Sequence, residues 1–321
     1  MAKAKTKPKQ KPKPKYYIAS FSGGKDSTAM VLRLIELGYP LHEVICCDTT
    51  MEFPAMYRHI EKVRAVVEAA GIKFTILRAE HDFEWFAIHF PVKTEKGRAS
   101  RIQKNMPIYG KGWPTSRIRW CTDELKRALI HRYLNQIKKS HDLKQYIGIA
   151  ADEGYRLERA QAEKHGKTYP LVEWQWTEAD AMRYCRSKGY DWEGLYTFFK
   201  RVSCWHCPLQ PLSELKTLRK HFPTLWAELM ELDKRIRAHF GAISFAGFKD
   251  GYSVAELDKR FDLEEALEAA GEKITNRAFY TDLRRHLSGE VTVAEIILER
   301  QEKRAAEIAA KQIPGQACLF N

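Results

Sequence analysis

The chain has 321 residues, 44% of them hydrophobic, and a formal net charge of +13. That length suits one large or two modest domains with ample chain for a core. No run of about 18 apolar residues occurs, which argues against a membrane-spanning helix, and the charged start has no apolar segment behind it, so no secretory signal is expected.

Much of the charge is concentrated at the start. Residues 1–15, MAKAKTKPKQKPKPK, hold seven lysines and no acid, which leaves +6 on the rest. Alternating Lys and Pro cannot build a core, so this stretch is expected to be a disordered or extended basic tail. It reads either as an arm for a polyanion such as nucleic acid, or as a solubilising tail. The seven cysteines stand at 46, 47, 121, 185, 204, 207 and 318. An odd number without a secretory signal argues against a disulfide framework and for a reducing, cytoplasmic compartment, where clustered cysteines serve metal or redox chemistry.

After the tail, strands and helices alternate. Tyr16–Phe21 reads as a strand, Asp26–Leu37 as a helix ended by Gly38, and Glu43–Asp48 (EVICCD) as a second strand. A helix follows from about Pro54 to Ala70, ended by Gly71, then a strand over Lys73–Arg78 and a short helix over Phe83–Phe90. Gln145–Ala150 is a fourth apolar strand. Near-continuous apolar strands alternating with helices predict an α/β fold with a doubly wound parallel sheet, whose ligands sit at the carboxyl ends of the strands. Asp48 and Asp152-Glu153 fall at such ends.

Residues 91–119 break the pattern. They carry Lys93, Lys96, Arg98, Arg101, Lys104, Lys111, Arg117 and Arg119, with Tyr109 and Trp113 interleaved. This reads as a long basic loop beside the site, for nucleic acid, or as a solvated charge run. From about Thr177 the chain looks helical, with apolar spacing over Phe222–His239, Val254–Ala270, Arg277–Leu287 and Val291–Lys311. The expected organisation is a tail at 1–15, a nucleotide-binding domain at 16–175, a helical region at 176–312 containing a CxxC element, and a flexible tail at 313–321.

The first strand ends in Ser22-Gly23-Gly24-Lys25-Asp26-Ser27-Thr28. The glycines let backbone N–H groups approach an anion, the helix contributes its positive N-terminal end, Lys25 adds a charge, and Ser22 and Ser27 add hydroxyls. The spacing is not that of a Walker loop. It resembles the PP-loop, SGGxDS, of the ATP-pyrophosphatase superfamily. An ordinary strand-to-helix turn is the bland alternative.

Further motifs extend the resemblance over roughly residues 16–240. Asp48-Thr49-Thr50-Met51-Glu52-Phe53-Pro54 with Tyr57 is similar to the D-T-x-x-x-F-P-x-x-Y segment of the phosphoadenosine phosphosulfate (PAPS) reductase family. Gly148 through Asp152-Glu153 to Arg156 resembles that family's segment after its fourth strand. Trp120-Cys121-Thr122-x-x-Leu125-Lys126 resembles a cysteine-plus-lysine helix start shared with the related DNA phosphorothioation PP-loop proteins. Arg201 to Pro208, containing Cys204 and Cys207, resembles a CxxC segment of prophage-type members. The resemblance implies an adenine nucleotide alpha hydrolase-like, Rossmann-like fold with a helical C-terminal part. It implies attack on the α-phosphate of ATP, with pyrophosphate leaving. Gly23, Gly24 and Lys25 would hold the pyrophosphate, Asp26 would orient Mg²⁺ (or cap the helix), Asp48 would contact ribose, adenine or Mg²⁺, and Arg156 would clamp a phosphate or form a surface ion pair.

In family reductases that use adenosine phosphosulfate, a Cys-Cys pair and a later CxxC bind a [4Fe-4S] cluster. Here Cys121, Cys204 and Cys207 match, and Cys185 is the candidate fourth ligand. An open iron carrying sulfur, as in PP-loop tRNA thiolation enzymes, is the alternative. Structural zinc with His206 or Cys185, and free thiols, also remain open. Cys46 and Cys47 read as core. The family's C-terminal Glu-Cys-Gly-x-His segment is missing; Cys318 has other surroundings. Gln316-x-x-Leu319-Phe320 instead resembles the peptide that bacterial replication proteins insert in the sliding clamp, the alternative being a tail that packs on its own domain. Three functions follow: an adenylating enzyme that transfers sulfur to nucleic acid, a reductase of PAPS or another sulfonucleotide, or a non-catalytic nucleotide-binding subunit of a DNA modification or defence assembly.

Overall fold

The computed structural model describes residues 12–92, 108–161, 166–202, 204–240, 247–274 and 276–312. In chain order the elements are β1 (Lys15–Phe21), α1 (Lys25–Glu36), β2 (Glu43–Asp48), α2 (Pro54–Ala69), β3 (Lys73–Arg78), α3 (Phe83–Ile88), β4 (Pro91–Val92) and β5 (Ile108–Tyr109). A continuous helical segment follows: α4 (Trp120–Thr122), a π-helical turn over Asp123–Arg127, and α5 (Ala128–Ile137). Next come β6 (Asp142–Ile147), α6 (Gly154–Gln161), β7 (Lys167–Thr168), α7 (Pro170–Glu173), α8 (Glu178–Ser187), α9 (Leu195–Phe198) and α10 (Leu212–His221). The chain ends in α11 (Pro223–Phe240), α12 (Val254–Ala269), α13 (Asn276–Ser288) and α14 (Val293–Gln312).

Five strands form one sheet in the order β3-β2-β1-β6-β7, and every pairing in it is parallel. This is the expected doubly wound α/β sheet. Its chain order reverses between β1 and β6, so a crevice opens beyond their carboxyl ends, where the PP-loop leaves β1. Ile18, Ala19 and Phe21 of β1 are buried, as are Val44, Ile45 and Cys46 of β2. Edge strand β3 alternates instead, with Phe74 inward. The fourth apolar strand runs over Asp142–Ile147, three residues before the expected span, because it pairs with β1 from Lys15↔Asp142 to Ser20↔Ile147. That shift leaves Gly148–Ala150 as the turn beside the PP-loop.

One charged group lies inside the sheet layer. Glu43 is fully buried, and it accepts hydrogen bonds from Tyr16 (3.2 Å), Tyr133 (2.6 Å) and Thr75, with Lys73 Nζ at 2.8 Å. Burial raises its pKa, but Lys73, Thr75 and Tyr133 more than offset that and hold the carboxyl below its ordinary value.

Two compact units divide at Leu218/Arg219. The helices up to Leu218, with the CxxC element, belong to the same unit as the sheet. α8 packs on α1. The second unit has its own core of Leu263, Leu267, Phe279, Leu283 and Ile296. There α12 starts with a Ser253–Glu256 capping box, and Arg219 bonds the Asp258, Asp262 and Glu265 stripe. No helix among the described residues is long and apolar enough to cross a membrane.

Between residues 91 and 119 the described part is partly ordered: β4 and β5 pair antiparallel as the base of the excursion. Arg98, Arg101 and Lys104 lie outside the described residues, as do 1–11 and the Gln316, Leu319 and Phe320 peptide. Trp113 is 4% exposed and packs near Phe83, so it is not available to stack on a base. Tyr109 is 47% exposed.

Candidate functional site

Two glycines shape the site: Gly23 inside the PP-loop and Gly148 beside it. Gly23 has φ +77°, and a Cβ there would lie 2.5 Å from Met56 Sδ. A Cβ on Gly148, at the end of β6, would lie 2.9 Å from Ser27 Cα, so this glycine lets β6 approach the first turn of α1. The hydroxyls expected to face an anion tie the loop together. Ser22 N donates to Ser27 Oγ at 3.1 Å, the two Oγ atoms are 3.1 Å apart, and Ser27 Oγ donates to Gly24 O at 3.0 Å. From outside the loop, Trp192 Nε1 donates to Gly23 O at 2.7 Å. Lys25 N donates to the Tyr196 hydroxyl at 3.0 Å. Tyr196 therefore sits where an incoming oxyanion would meet the Lys25 amide.

Lys25 Nζ lies 3.0 Å from Asp26 Oδ2 and 3.0 Å from Glu178 Oε2, and its side chain is only 12% exposed. Burial disfavours its charge, but the bonds to Asp26 and Glu178 hold its pKa above the ordinary value. Asp26 is pushed up, first by burial and then by Glu178 and Glu153, against the opposing pull of Lys25. Carboxylate oxygens of Asp26, Glu153 and Glu178 lie within 4.8 Å of one another, the one such group of His, Cys, Asp or Glu among the described residues. Three acids with one lysine form a net negative cluster beside the loop, the hard-oxygen donor set that suits Mg²⁺. Glu153 is also held by Ala150 N at 3.2 Å and by Arg156. Arg156 is thus engaged in the ion pair, its side chain 47% exposed on the rim.

Asp48 ends β2 with its carboxylate already committed. Oδ1 accepts from Thr50 N (2.7 Å) and the Tyr57 hydroxyl (3.0 Å), and Oδ2 accepts from Arg78. Its observed work is to shape the β2–α2 turn, where Thr50 takes φ 65°.

That turn leads to the cysteines. Cys204 donates to Glu52 Oε1 at 3.4 Å, Thr49 Oγ1 lies 3.7 Å from the same sulfur, and Thr49 donates to Glu52 at 2.9 Å. Trp205 N donates to Met51 O at 3.3 Å, and Gln210 Nε2 closes the CxxC turn on Cys204 O at 3.0 Å. Cys121 opens α4, immediately before the π-helical turn. Its thiol and that of Cys207 influence each other electrostatically, as do those of Cys204 and Cys207. Burial raises the pKa of all three. Lys126 offsets this: its charge favours the thiolates of Cys121, Cys204 and Cys207, and its Nζ is 3.6 Å from Glu52 Oε1. The wall behind is aromatic, with Phe83 stacked on Trp120 at 4.9 Å and edge-on to His206 at 4.2 Å. His206 is buried, its Nδ1 has no hydrogen-bond partner among the described residues, and burial pushes its pKa down to about 3.

Cys185 is a correction. It is fully buried on the face of α8 that packs against α1, and its Sγ donates to Lys25 O at 3.4 Å, under the PP-loop. Burial pushes its thiol up to about 12. The structure does not bring it to Cys121, Cys204 and Cys207. Cys46 is buried core as expected, while Cys47 is half-buried with its Sγ 3.9 Å from Lys126 O. Sequence reasoning missed Glu178, Trp192 and Tyr196, which come from a segment folding back over the loop and carry no local signal. Glu52 and Lys126 lay inside the quoted motifs, where the motif pattern itself was the signal.

Residues 16–210 match the phosphoadenosine phosphosulfate reductase domain, more than half of the chain. The chain belongs to this family. That makes it a PP-loop protein of the PAPS reductase type. Two relatives from Methanocaldococcus jannaschii are the uncharacterized protein MJ0066, 25% identical over 221 residues (66% of this chain, 40% of the relative), and the uncharacterized protein MJ0973, 24% identical over 220 residues (67% and 47%). The chain thus spans less than half the length of these curated relatives. Among solved structures, the U34-tRNA thiolase NcsA from Methanococcus maripaludis with its [4Fe-4S] cluster is similar at 14% identity, covering 71% of this chain and 74% of that one, with a TM-score of 0.34.

Proposed function

We propose that this PAPS reductase-family chain uses ATP to adenylate an acceptor and exchanges the activated oxygen for sulfur, with a nucleic acid as acceptor. One observation carries the reading. The PP-loop at the end of β1 and the cysteines reached through the turn after β2 lie at the same end of two neighbouring strands. In the first step an acceptor oxygen attacks the α-phosphorus, the bond to pyrophosphate breaks, and Lys25 and the loop amides take up the charge on the leaving group. Mg²⁺ would be held by Asp26, Glu153 and Glu178. In the second step a sulfur nucleophile, drawn from a sulfide source, displaces AMP.

Cys121, Cys204 and Cys207 would hold a three-cysteine [4Fe-4S] cluster, with a structural zinc as the alternative occupant. A cluster there would supply an iron able to carry sulfur. Lys126 would stabilise the thiolates, and the Phe83 and Trp120 wall would keep water away. Anaerobic purification with iron and sulfide analysis, together with release of pyrophosphate from ATP on adding nucleic acid, tests the reading. Sulfite release from PAPS with a thiol donor, and no pyrophosphate from ATP, would replace it with the reductase. The family match favours that alternative.

A further inference from the structure

Arg117 and Arg119 stand just before Cys121 in the chain. Arg117 and Arg119 are exposed, and neither has a carboxylate partner among the described residues. Other cations of this region are engaged: Lys111 with Glu124, Lys126 with Glu52, Arg127 with Asp123 and Arg78 with Asp48. Between the two arginines, Ile118 is 60% exposed. An isoleucine held in water between two charges that have no carboxylate partner among the described residues gains nothing from the fold.

The element that presents them is firmly built. Thr115 N donates to Ile118 O at 3.1 Å, and Ile118 N donates to Thr115 Oγ1 at 3.1 Å, closing a tight turn. The next residue, Trp120, is buried, donates from Nε1 to Gly112 O at 3.1 Å and stacks on Phe83. Cys121 follows directly. On the other arm of the site, the Arg119 charge acts on the Cys207 thiol. The tip therefore projects from a fixed base at the edge of the three-cysteine group.

We infer that Arg117, Ile118 and Arg119 form a docking tip for a single-stranded segment of nucleic acid, the guanidiniums binding phosphates and Ile118 supporting a base or sugar at the cysteine site. This rests on the nucleic-acid reading above. Arginine forks match phosphate oxygens in pairs. A duplex backbone would use the charges but leave the isoleucine idle, whereas an unpaired nucleotide offers an apolar face as well.

The test is fluorescence anisotropy of labelled single-stranded DNA and RNA of about 20 nucleotides, measured against salt. The Arg117→Gln/Arg119→Gln double variant should reduce the slope of log affinity against log salt by about 1.4, since each single-strand phosphate contact contributes about 0.7. Ile118→Ser should weaken binding with the slope unchanged. Arg117→Lys/Arg119→Lys should keep the slope and lose affinity, which separates docking from misfolding of a Gln variant. An unchanged slope in the double Gln variant, with wild type binding well, overturns the docking tip alone. Absence of binding by wild type to either probe at low salt overturns the nucleic-acid reading itself.

Discussion

The Lys25 ammonium lies 3.0 Å from a carboxylate oxygen of Glu178, at the start of α8. Glu178 thus reaches a loop formed far earlier in the chain, and with Asp26 and Glu153 it completes the acidic group beside Lys25. Lys25→Ala should reduce pyrophosphate release from ATP by roughly a hundredfold or more, the usual cost of a lost oriented charge. Glu178→Gln should leave the fold intact and raise the Mg²⁺ concentration needed for half-maximal turnover. Wild-type turnover in Lys25→Ala would refute the PP-loop assignment, and an unshifted Mg²⁺ titration in Glu178→Gln would remove that carboxylate from the metal site.

The cysteines separate into two sets with different expected behaviour. Cys121→Ala, Cys204→Ala and Cys207→Ala should each lose most of the iron and sulfide and the visible absorption of the anaerobically purified protein. Cys185→Ala should keep both, because its sulfur lies under Lys25 O. Loss of iron in Cys185→Ala with a normal melting curve would restore it as a ligand.

Lys126 is placed so that its removal uncovers acids. Its charge faces Cys204, Glu52, Cys47 and Cys121. Lys126→Met should leave Glu52 without its cation and reduce iron retention, on the order of the 10- to 100-fold affinity losses typical of residues that support metal ligands. Chelator challenge followed spectroscopically measures this, and a release rate equal to wild type would dismiss the role.

His59 supplies a pH dependence of stability beside the PP-loop. It is 5% exposed, lies 2.9 Å from Thr28 Oγ1 and stacks on Trp192 at 4.5 Å. Burial, and secondarily Lys62, push its pKa down from 6.5 to about 4, against an opposing pull from Asp191. The folded value lies below the unfolded one, so the contribution is complete above pH 6.5 and is lost as pH falls through about 4. It is worth on the order of 3 kcal/mol at most. Urea midpoints should fall between pH 7 and pH 4.5, and less steeply in His59→Gln. Equal slopes in the two proteins would show that other groups govern that limb.

Gly148→Ala tests how closely β6 supports the loop. The added Cβ meets Ser27 backbone at 2.9–3.0 Å, atoms that cannot rotate away. Nucleotide affinity should drop at least tenfold, with a stability loss of about 1–3 kcal/mol from overpacking. Wild-type nucleotide affinity would mean that α1 can shift without disturbing the anion site.

The strands β1, β2 and β3, the helices between them, and the PP-loop were legible in the sequence because each is a local pattern: apolar runs, glycine stops and a strand-glycine-helix junction act over a few residues. The cysteine motif was legible by the same means, as three thiols and a lysine inside two short segments. What tertiary structure decided concerns residues that meet across long separations. Cys185 and Trp113 have the right chemistry and lie near the right motifs, yet α8 packing on α1 carries one sulfur under the PP-loop, and the aromatic cluster around Phe83 buries the indole. Glu178, Trp192 and Tyr196 reach the loop only because the chain folds back over it. Asp48 keeps its predicted place at a strand end, but its carboxylate is taken by Thr50, Tyr57 and Arg78. A sequence pattern shows which groups a strand end offers; packing between distant elements determines which of them face a ligand and which have already found a partner.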